Sequence, residues 1–354
     1  MLNKDFSLQY KVNEIKKSPI FAMSLASKEL FHSNFWAWLF EHDISYAKIF
    51  FNDLSHIDDN GVKREENNMD ITIHSDGKLY VIENKLKSLP REDQLNDYKN
   101  KNDNFICGVV TGLKKPSFGC EGWRFMSYDE ISKRISKIAE TEPDSFYKSL
   151  IEQYSKMIND LSDIATSIID TVGDRLIRYE DIEEVAKIRF DDVLKKLNAD
   201  RFVSYLEKYT SFGEKIEGYD RWIWSDFTNK SAIVDVRYEK KNGNSIGIQI
   251  QGNQYRRFVQ IKNANVDSEK LYKKYVDKGW LWDRSQISDT IDGHHTSMNK
   301  NNRYDKYSKP GIYYFLYQYY NVSEESGFDE LTEQIKNDIE LATKILKEDG
   351  KIDC

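Results

Sequence analysis

Residues 69–85 read MDITIHSDGKLYVIENK, and this stretch determines the fold of the first half of the chain. Its isoleucines alternate with polar residues, which is typical of a strand that buries one face. Asp76 and Gly77 form a preferred two-residue hairpin turn because both positions tolerate positive φ. We therefore predict a β-hairpin over residues 69–87.

The predicted turn also determines which side chains face each other across the hairpin. Counting outward from Ser75, which pairs with Lys78, places Asp70 opposite Glu83. Two facing carboxylates repel each other, so a stable fold would place a cation between them. Hard oxygen ligands suit Mg²⁺ or Mn²⁺. Strand alternation puts Lys85 on the face of Glu83, and such a set can bind a metal and stabilise charge on a phosphate.

A solvated hairpin with surface charges is the alternative interpretation. Glu-x-Lys triplets are common in a chain that is 31% charged, and two others occur at 14–16 and 239–241. The second runs directly into the Asn-Gly turn at 242–243, so a solvated strand end explains it. Only the triplet at 83–85 follows an apolar strand and has a carboxylate opposite. The pattern alone leaves both interpretations open.

The order of these residues resembles the core motif of the PD-(D/E)XK nuclease superfamily. In that motif an Asp precedes a strand that carries Glu-x-Lys, as Asp70, Glu83 and Lys85 do here. Met69 stands where the motif has Pro, and this position concerns strand geometry rather than metal binding. The resemblance covers roughly residues 20–170 and points to a bacterial branch of the superfamily.

Two further parts of the sequence resemble the family. Gln94 and Tyr98 match a Gln-x-x-x-Tyr helix, and their spacing places both on one helical face. Glu29 resembles the glutamate that many members carry on their first helix. An exposed helix face or a capping Glu would also explain these residues. His32, one turn from Glu29, is expected to be a core or capping histidine.

The resemblance implies a role for each site residue. The implied metal ligands offer carboxylate or carbonyl oxygens, and they are Asp70, Glu83, Asn84 through its carbonyl, and Glu29. The implied catalytic residues are Asp70, Glu83, Lys85, Gln94 and Tyr98. Lys85 would position or activate the attacking water, Gln94 would hold the site and approach the substrate backbone, and Tyr98 would orient its neighbours.

We predict an α/β fold with a restriction-endonuclease-like mixed central sheet flanked by helices over residues 1–175. Within it, residues 1–55 are predicted to be helical, with an apolar stripe of Phe31, Phe35, Trp38 and Leu39. A short helix should open at Pro90. Strands are predicted at 105–113 and 123–128, followed by two helices over 129–169 that Pro143 separates.

Residues 176–354 are predicted to form an appended α+β region, either as a separate unit or as an insertion on the same sheet. Its predicted strands are 221–224, 231–239, 245–251, 256–262 and 311–320, and its predicted helices are 266–278 and 323–348. Residues 220–262 contain eight basic and four acidic residues, with interleaved aromatics. This composition fits a substrate-positioning domain, although a half-exposed sheet would look similar.

The leading functional hypothesis is a Mg²⁺-dependent (or Mn²⁺-dependent) nuclease, a phosphodiesterase acting on DNA rather than RNA. A net charge of −7 requires that positive potential be confined to one cleft. The alternatives are a non-cleaving module that binds nucleic acid or protein, and a small-nucleotide phosphohydrolase. The last lacks a Gly-rich phosphate loop and an evident His-Asp cluster.

The sequence also bears on location. The three cysteines show no CxxC spacing, which fits a reducing cytoplasm. The N-terminus has no apolar signal region, and no apolar run approaches the roughly 18 residues of a membrane span. We therefore expect a cytoplasmic protein without a membrane partner. The sequence does not indicate an oligomeric state.

Overall fold

The computed structural model describes residues 2–24, 29–54, 56–86, 88–116, 118–209, 215–228, 230–262, 267–283, 295–304, 310–323 and 326–350. The described chain is a mixed α/β protein with two sheets. It divides into two compact units. The first contains residues 1–171 and 179–194, and the second contains 172–178 and 195–354. The boundary predicted at residue 175 falls where the chain passes between the two units.

The first unit combines seven helices of the described chain with five strands. Its helices are α1 (Leu2–Lys17), α2 (Pro19–Met23), α3 (Glu29–His42), α4 (Glu92–Asn100), α5 (Tyr128–Thr141), α6 (Ser145–Val172) and α7 (Tyr179–Ala186), with short 3-10 helices at Ile44–Ile49 and Glu66–Asn68. Its strands are β1 (Val62–Arg64), β2 (Ile71–Ser75), β3 (Lys78–Lys85), β4 (Phe105–Gly112) and β5 (Trp123–Ser127).

The five strands form one mixed sheet in the order β1-β2-β3-β4-β5. Strands β1, β2 and β3 are antiparallel, whereas β4 and β5 run parallel to β3. Asp76 and Gly77 have φ values of 52° and 74°, as the predicted turn requires. The observed pairs run from Ser75 with Lys78 to Ile71 with Ile82. The predicted register is confirmed, and Asp70 lies one residue before β2.

Both faces of this sheet are covered by apolar side chains. On one face, Leu79 and Val81 pack with Met69 and with Tyr98 of α4. On the other face, the Tyr80 ring lies 5.1 Å from that of Phe51. Strand alternation explains the division, because odd-numbered and even-numbered side chains of β3 point in opposite directions.

Helix α3 buries a broader face than the predicted stripe. Phe35 and Leu39 are buried, but Phe31 and Trp38 are only half-buried, and Trp36 is fully buried instead. The Phe35 ring stacks on Tyr154 of α6 at 3.8 Å between centroids. The predicted apolar stripe of α3 was too narrow, because α6 covers the helix at Phe35 while Trp36 packs near Phe50.

The second unit contains an antiparallel sheet with helices packed against its core. Its strands are β6 (Tyr219–Thr228), β7 (Ser231–Lys240), β8 (Ser245–Gln251), β9 (Gln254–Ile261), β10 (His295–Tyr304) and β11 (Pro310–Asn321), in the order β10-β11-β9-β8-β7-β6. Its helices are α8 (Asp191–Tyr209, which begins in the first unit), α9 (Ser268–Asp277) and α10 (Phe328–Gly350). A separate sheet excludes the alternative of an insertion on the first sheet.

Apolar residues of α8, α9 and α10 share one buried cluster with alternate residues of the sheet, such as Val236, Ile248 and Val259. The other side chains of β7, including Asp235 and Arg237, therefore lie on the opposite face. The period-2 pattern of the predicted strands reflects this apolar face. Phe258, Phe315 and Tyr317 form a second, smaller apolar cluster, and strand alternation with Val259 places it on the opposite face.

Several predicted boundaries need correction. Helix α4 begins at Glu92, two residues after Pro90, although Glu92 and Asp93 do occupy its first turn. Strand β6 extends well beyond the predicted 221–224. Helices α7 and α8 and strands β1 and β10 were not predicted. No helix among the described residues is long and apolar enough to span a lipid bilayer.

Candidate active site

The β2-β3 hairpin brings Asp70, Glu83 and Lys85 together as its register requires. Lys85 Nζ lies 2.7 Å from Glu83 Oε1, and the two side chains are 11% and 3% exposed. The Asn84 backbone N–H donates to Asp70 Oδ2 at 2.7 Å, which ties Asp70 to β3. Two carboxylates and an ammonium therefore share a largely buried part of one sheet face.

Burial and mutual repulsion oppose ionisation of both carboxylates. Burial, followed by the negative charges of Glu83 and Glu29, raises the pKa of Asp70 to about 7, despite the opposing effects of the Asn84 N–H and Lys85. Burial also raises the pKa of Glu83, and Lys85 and the Asp70 backbone offset this only in part. The pair would be stabilised in its charged form by an additional cation.

Helix α4 supplies the next two predicted residues. Gln94 Nε2 donates to Glu83 Oε1 at 2.9 Å and to the Tyr98 hydroxyl at 2.6 Å. The Tyr98 hydroxyl donates to the backbone carbonyl of Asn68 at 2.6 Å, and burial raises the pKa of Tyr98 to about 12. Tyr98 is thus a neutral donor at physiological pH, and Gln94 fixes one oxygen of Glu83.

Glu29 lies at the first position of α3, and its carboxylate contacts the segment that follows β3. Glu29 Oε1 accepts hydrogen bonds from the Ser88 N–H at 2.6 Å and from Ser88 Oγ at 2.8 Å. Its charge nevertheless contributes to raising the pKa values of Asp70 and Glu83. The structure therefore places Glu29 near the pair, with its carboxylate directed to Ser88.

The Asn84 side chain lies on the other face of the sheet from Glu83. Its amide donates to the Glu29 backbone carbonyl at 2.8 Å and accepts from Thr111 Oγ1 at 3.1 Å and from the Tyr128 hydroxyl. The side chain is therefore not a metal ligand, and the implied role of the Asn84 carbonyl stays a prediction. His32 is fully buried and contacts the Tyr154 hydroxyl at 3.0 Å, as a core histidine does.

The donor set of Asp70 and Glu83 fits a hard divalent cation. Glu83 Oε2 is buried and has no hydrogen-bond partner in the described part of the chain. A buried carboxylate oxygen without a partner is costly, and a cation beside it would remove that cost. Carboxylate oxygens are the ligands that Mg²⁺ and Mn²⁺ prefer. Gln94 holds the other oxygen, so the free one is presented in a fixed position.

A second group of potential metal ligands lies elsewhere in the first unit, with its ligand atoms close together. Among the described residues, His56, Asp58 and Asp76 form the one His/Cys/Asp/Glu group of three whose ligand atoms all lie within 4.8 Å of one another. Glu29 does not complete such a group with Asp70 and Glu83, and Ser88 donates two hydrogen bonds to its carboxylate.

The His56 group lies at the turn end of the β2-β3 hairpin, whereas Asp70 and Glu83 lie at its other end. The cluster is not evident in the sequence, because Asp76 joins the other two residues only through the fold, where the Asp76 N–H donates to Asp58 Oδ1 at 2.9 Å. The side chains of His56 and Asp58 are 60% and 38% exposed, and such exposed groups commonly occur without an ion.

Comparison with known proteins adds no identification to this geometry. No protein-family model matches the chain, and no curated protein matches it. Function is therefore inferred from the residues of the site and their arrangement.

Proposed function

We propose that this protein hydrolyses phosphodiester bonds in nucleic acid, DNA rather than RNA, with Mg²⁺ or Mn²⁺ bound at Asp70 and Glu83. The observation that carries the proposal is the buried pair of carboxylates, one of whose oxygens lacks a partner, beside Lys85. The mixed sheet of the first unit, with a hairpin followed by α4 and a parallel strand, supports a restriction-endonuclease-like fold.

Each residue of the site would have a distinct role in this reaction. Asp70 and Glu83 would hold the cation, and Gln94 keeps Glu83 in place by donating to its Oε1. Lys85 is largely buried next to Glu83, so its ammonium would act in a low-dielectric environment on a phosphate or on the attacking water. The bound metal would supply Lewis-acid stabilisation of the phosphate charge and lower the pKa of a nearby water.

The direct test is cleavage by the purified protein. With Mg²⁺ or Mn²⁺ it should cut plasmid DNA, and an RNA of similar length should be cut more slowly. Lys85→Ala should reduce the rate by about 100-fold or more, because removal of one charge-stabilising donor costs roughly 10²–10³ in rate. Lys78→Ala is the matched control, since Lys78 is an exposed lysine at the other end of β3.

Circular dichroism should show that both lysine variants remain folded. The proposal is wrong if Lys85→Ala and Glu83→Ala both cleave DNA at the wild-type rate. Metal-dependent DNA binding without cleavage would instead favour the non-cleaving module that retains this fold.

A further inference from the structure

One face of the second sheet lies opposite the apolar cluster that the sheet shares with α8, α9 and α10, and we call it the outer face. Val236 belongs to that cluster, so strand alternation places Asp235 and Arg237 on the outer face. The register of β6 with β7 pairs Trp222 with Arg237 and Trp224 with Asp235. Because directly paired side chains share a face, both indoles lie on the outer face.

Trp222 presents its indole ring to solvent at one edge of the sheet. The residue is 51% exposed, and β6 is the last strand in the order of the described sheet. Its ring meets that of Trp224 edge to face, with 6.5 Å between the two centroids. Exposed apolar ring surface is unfavourable in water, and a planar ligand stacked on the indole would cover it.

Trp224 is itself held in place by Arg237. The Arg237 Cζ atom lies 4.1 Å from the centre of the Trp224 ring, which is a close cation–π contact. Carboxylates fix the guanidinium in turn, since Arg237 Nε lies 3.0 Å from Glu239 Oε2 and 3.7 Å from Asp235 Oδ1. Trp222 therefore meets a ring whose position is already fixed. A rigid aromatic surface loses little conformational entropy when a ligand stacks on it.

The charges beside the two indoles favour a base rather than a phosphate on the outer face. Asp220 and Asp226 are exposed and lie on this face of β6, opposite Glu239 and Ile233. Their carboxylates would repel a phosphate placed over the indoles. A base is uncharged, and its π-face stacks on an aromatic ring whatever the sequence. In a duplex the neighbouring pairs already cover each base, so a base that stacks on Trp222 must be unpaired.

The phosphates of such a strand would be attracted to cations near the indoles. Arg221 is exposed in the same strand as Trp222. Lys241 and Lys262 are exposed near the β7–β8 turn. Lys241 lies four residues after Arg237, the partner of Trp222, so about 13 Å along the strands separates the indole from this turn. A short run of nucleotides can span that distance.

We propose that the outer face of the second sheet binds an unpaired nucleotide of the substrate by stacking its base on Trp222, so that the preferred substrate carries a single-stranded segment. The choice of nucleic acid as the ligand rests on the proposed function. Stacking itself requires no metal, so it can be measured separately from cleavage.

Equilibrium binding of fluorescein-labelled oligothymidine tests the stacking, with a chelator present to prevent the proposed cutting. Trp222→Ala should weaken binding about tenfold, as expected for the loss of one stacked base, and Trp222→Phe should weaken it less. An abasic oligomer of the same length keeps the phosphates without the bases, so the wild type and Trp222→Ala should bind it equally. Tyr209→Ala is the matched control, because Tyr209 is an exposed aromatic residue of α8 and should leave both affinities unchanged.

Tryptophan fluorescence gives a readout that a merely structural role of Trp222 would not move. Oligothymidine should quench part of the wild-type emission, because a stacked base contacts the indole directly. The quenched fraction should fall in Trp222→Phe and stay at the wild-type value in Tyr209→Ala. This measurement also decides the matter if circular dichroism shows that Trp222→Ala does not fold.

Three results would overturn the inference. They are wild-type affinity of Trp222→Ala for oligothymidine, equal losses of affinity for oligothymidine and the abasic oligomer, and unchanged quenching in Trp222→Phe. A wild type that does not bind oligothymidine would also overturn it, and would favour a protein strand as the partner of the β6 edge.

Failure of the inference differs from failure of the proposed function. If the protein cuts duplex DNA with Mn²⁺ but binds oligothymidine no better than the abasic oligomer, the function stands and the stacking site does not. If it binds oligothymidine through Trp222 but cuts no DNA with Mn²⁺, the stacking site stands and the proposed function fails.

Discussion

At the scale of single residues, Asp70 shows how the site opposes its own ionisation. Burial and the charge of Glu83 raise its pKa from 3.8 to about 7. A group with a raised folded-state pKa contributes stability that is complete below its unfolded pKa and is lost as pH rises through the folded value. Without metal, the contribution of Asp70 to stability should therefore decline between about pH 4 and pH 7.

Asp70→Asn should consequently stabilise the metal-free protein at pH 8. The amide oxygen can still accept from the Asn84 N–H, while the repulsion from Glu83 is removed. We expect a gain on the order of 1–3 kcal/mol in the free energy of unfolding, which shrinks to near zero below pH 4. Urea denaturation at several pH values, with a chelator present, would measure it.

Asp103→Asn provides the control for this experiment, since Asp103 is exposed and its replacement should change stability little. An Asp70→Asn protein that is less stable than the wild type at pH 8 would contradict the electrostatic account. Added Mn²⁺ should make the wild type more stable than Asp70→Asn, because the ion stabilises only the protein that retains both carboxylates.

At the scale of elements, the hairpin was predictable because its turn is specified locally. A two-residue Asp-Gly turn permits one register. Counting residue pairs outward from the turn therefore placed Asp70 opposite Glu83. The family resemblance singled out Gln94 and Tyr98, and their four-residue spacing placed both on one helical face. In the structure Gln94 donates to Glu83 and to the Tyr98 hydroxyl. These predictions needed no knowledge of distant contacts.

The elements that were missed lack such local signals or depend on distant partners. Strand β10 has the polar sequence HTSMNKNNRY, with no apolar alternation, and forms a ladder with β11. Strand β1 has only three residues. Glu29 and Ser88 are far apart in sequence, so their hydrogen bond could not be inferred from spacing. Helix α8, in contrast, begins with two acidic residues in its first turn, which is a local signal for a helix start.

The packing of β4 on β5 depends on a glycine. Gly108 pairs with Trp123, and a Cβ at Gly108 would lie 2.3 Å from Trp123 Cε3. Because the indole packs near Tyr98 and Phe105, it cannot move away freely. Gly108→Ala should therefore destabilise the protein by roughly 1–3 kcal/mol, as overpacking does.

Thermal or urea unfolding would measure the effect of Gly108→Ala. Gly119→Ala is the matched control, since a Cβ there would meet nothing within 4 Å. Equal stability of the two variants would show that the sheet can adjust around Trp123. This result would contradict the expectation that the indole cannot move away from a Cβ at residue 108.

At the scale of the whole molecule, part of the positive charge that the sequence shows in 220–262 is held by neighbouring side chains. Three of the eight basic residues in 220–262 are bound within the second unit. Arg237 Nε lies 3.0 Å from Glu239 Oε2, Arg257 pairs with Asp338 at 2.5 Å, and Arg256 donates to glutamine side chains. Because carboxylates and glutamine amides hold these three arginines, residues 220–262 offer a ligand less positive charge than the residue count predicts.

Lys241 and Lys262 test whether that surface contacts nucleic acid. Both are exposed and lie near the β7–β8 turn, where Gly243 approaches the Lys262 side chain. In a Glu83→Gln background, which should prevent the proposed cutting, Lys241→Glu/Lys262→Glu should weaken DNA binding about tenfold in moderate salt. The dependence of log K on log salt should also become shallower by about 2, since each phosphate contact contributes close to one unit.

Reversing the charges of Lys273 and Lys274 gives an equal change in net charge at another exposed pair of the second unit, on α9. If only the overall charge of −7 governs binding, both double variants should lose the same affinity. If the β7–β8 turn contacts phosphates, only Lys241→Glu/Lys262→Glu should show both a lower affinity and a shallower dependence of log K on log salt. Unchanged slopes in both would exclude this part of the second unit from substrate binding, and the proposed DNA recognition would then have to involve other surfaces.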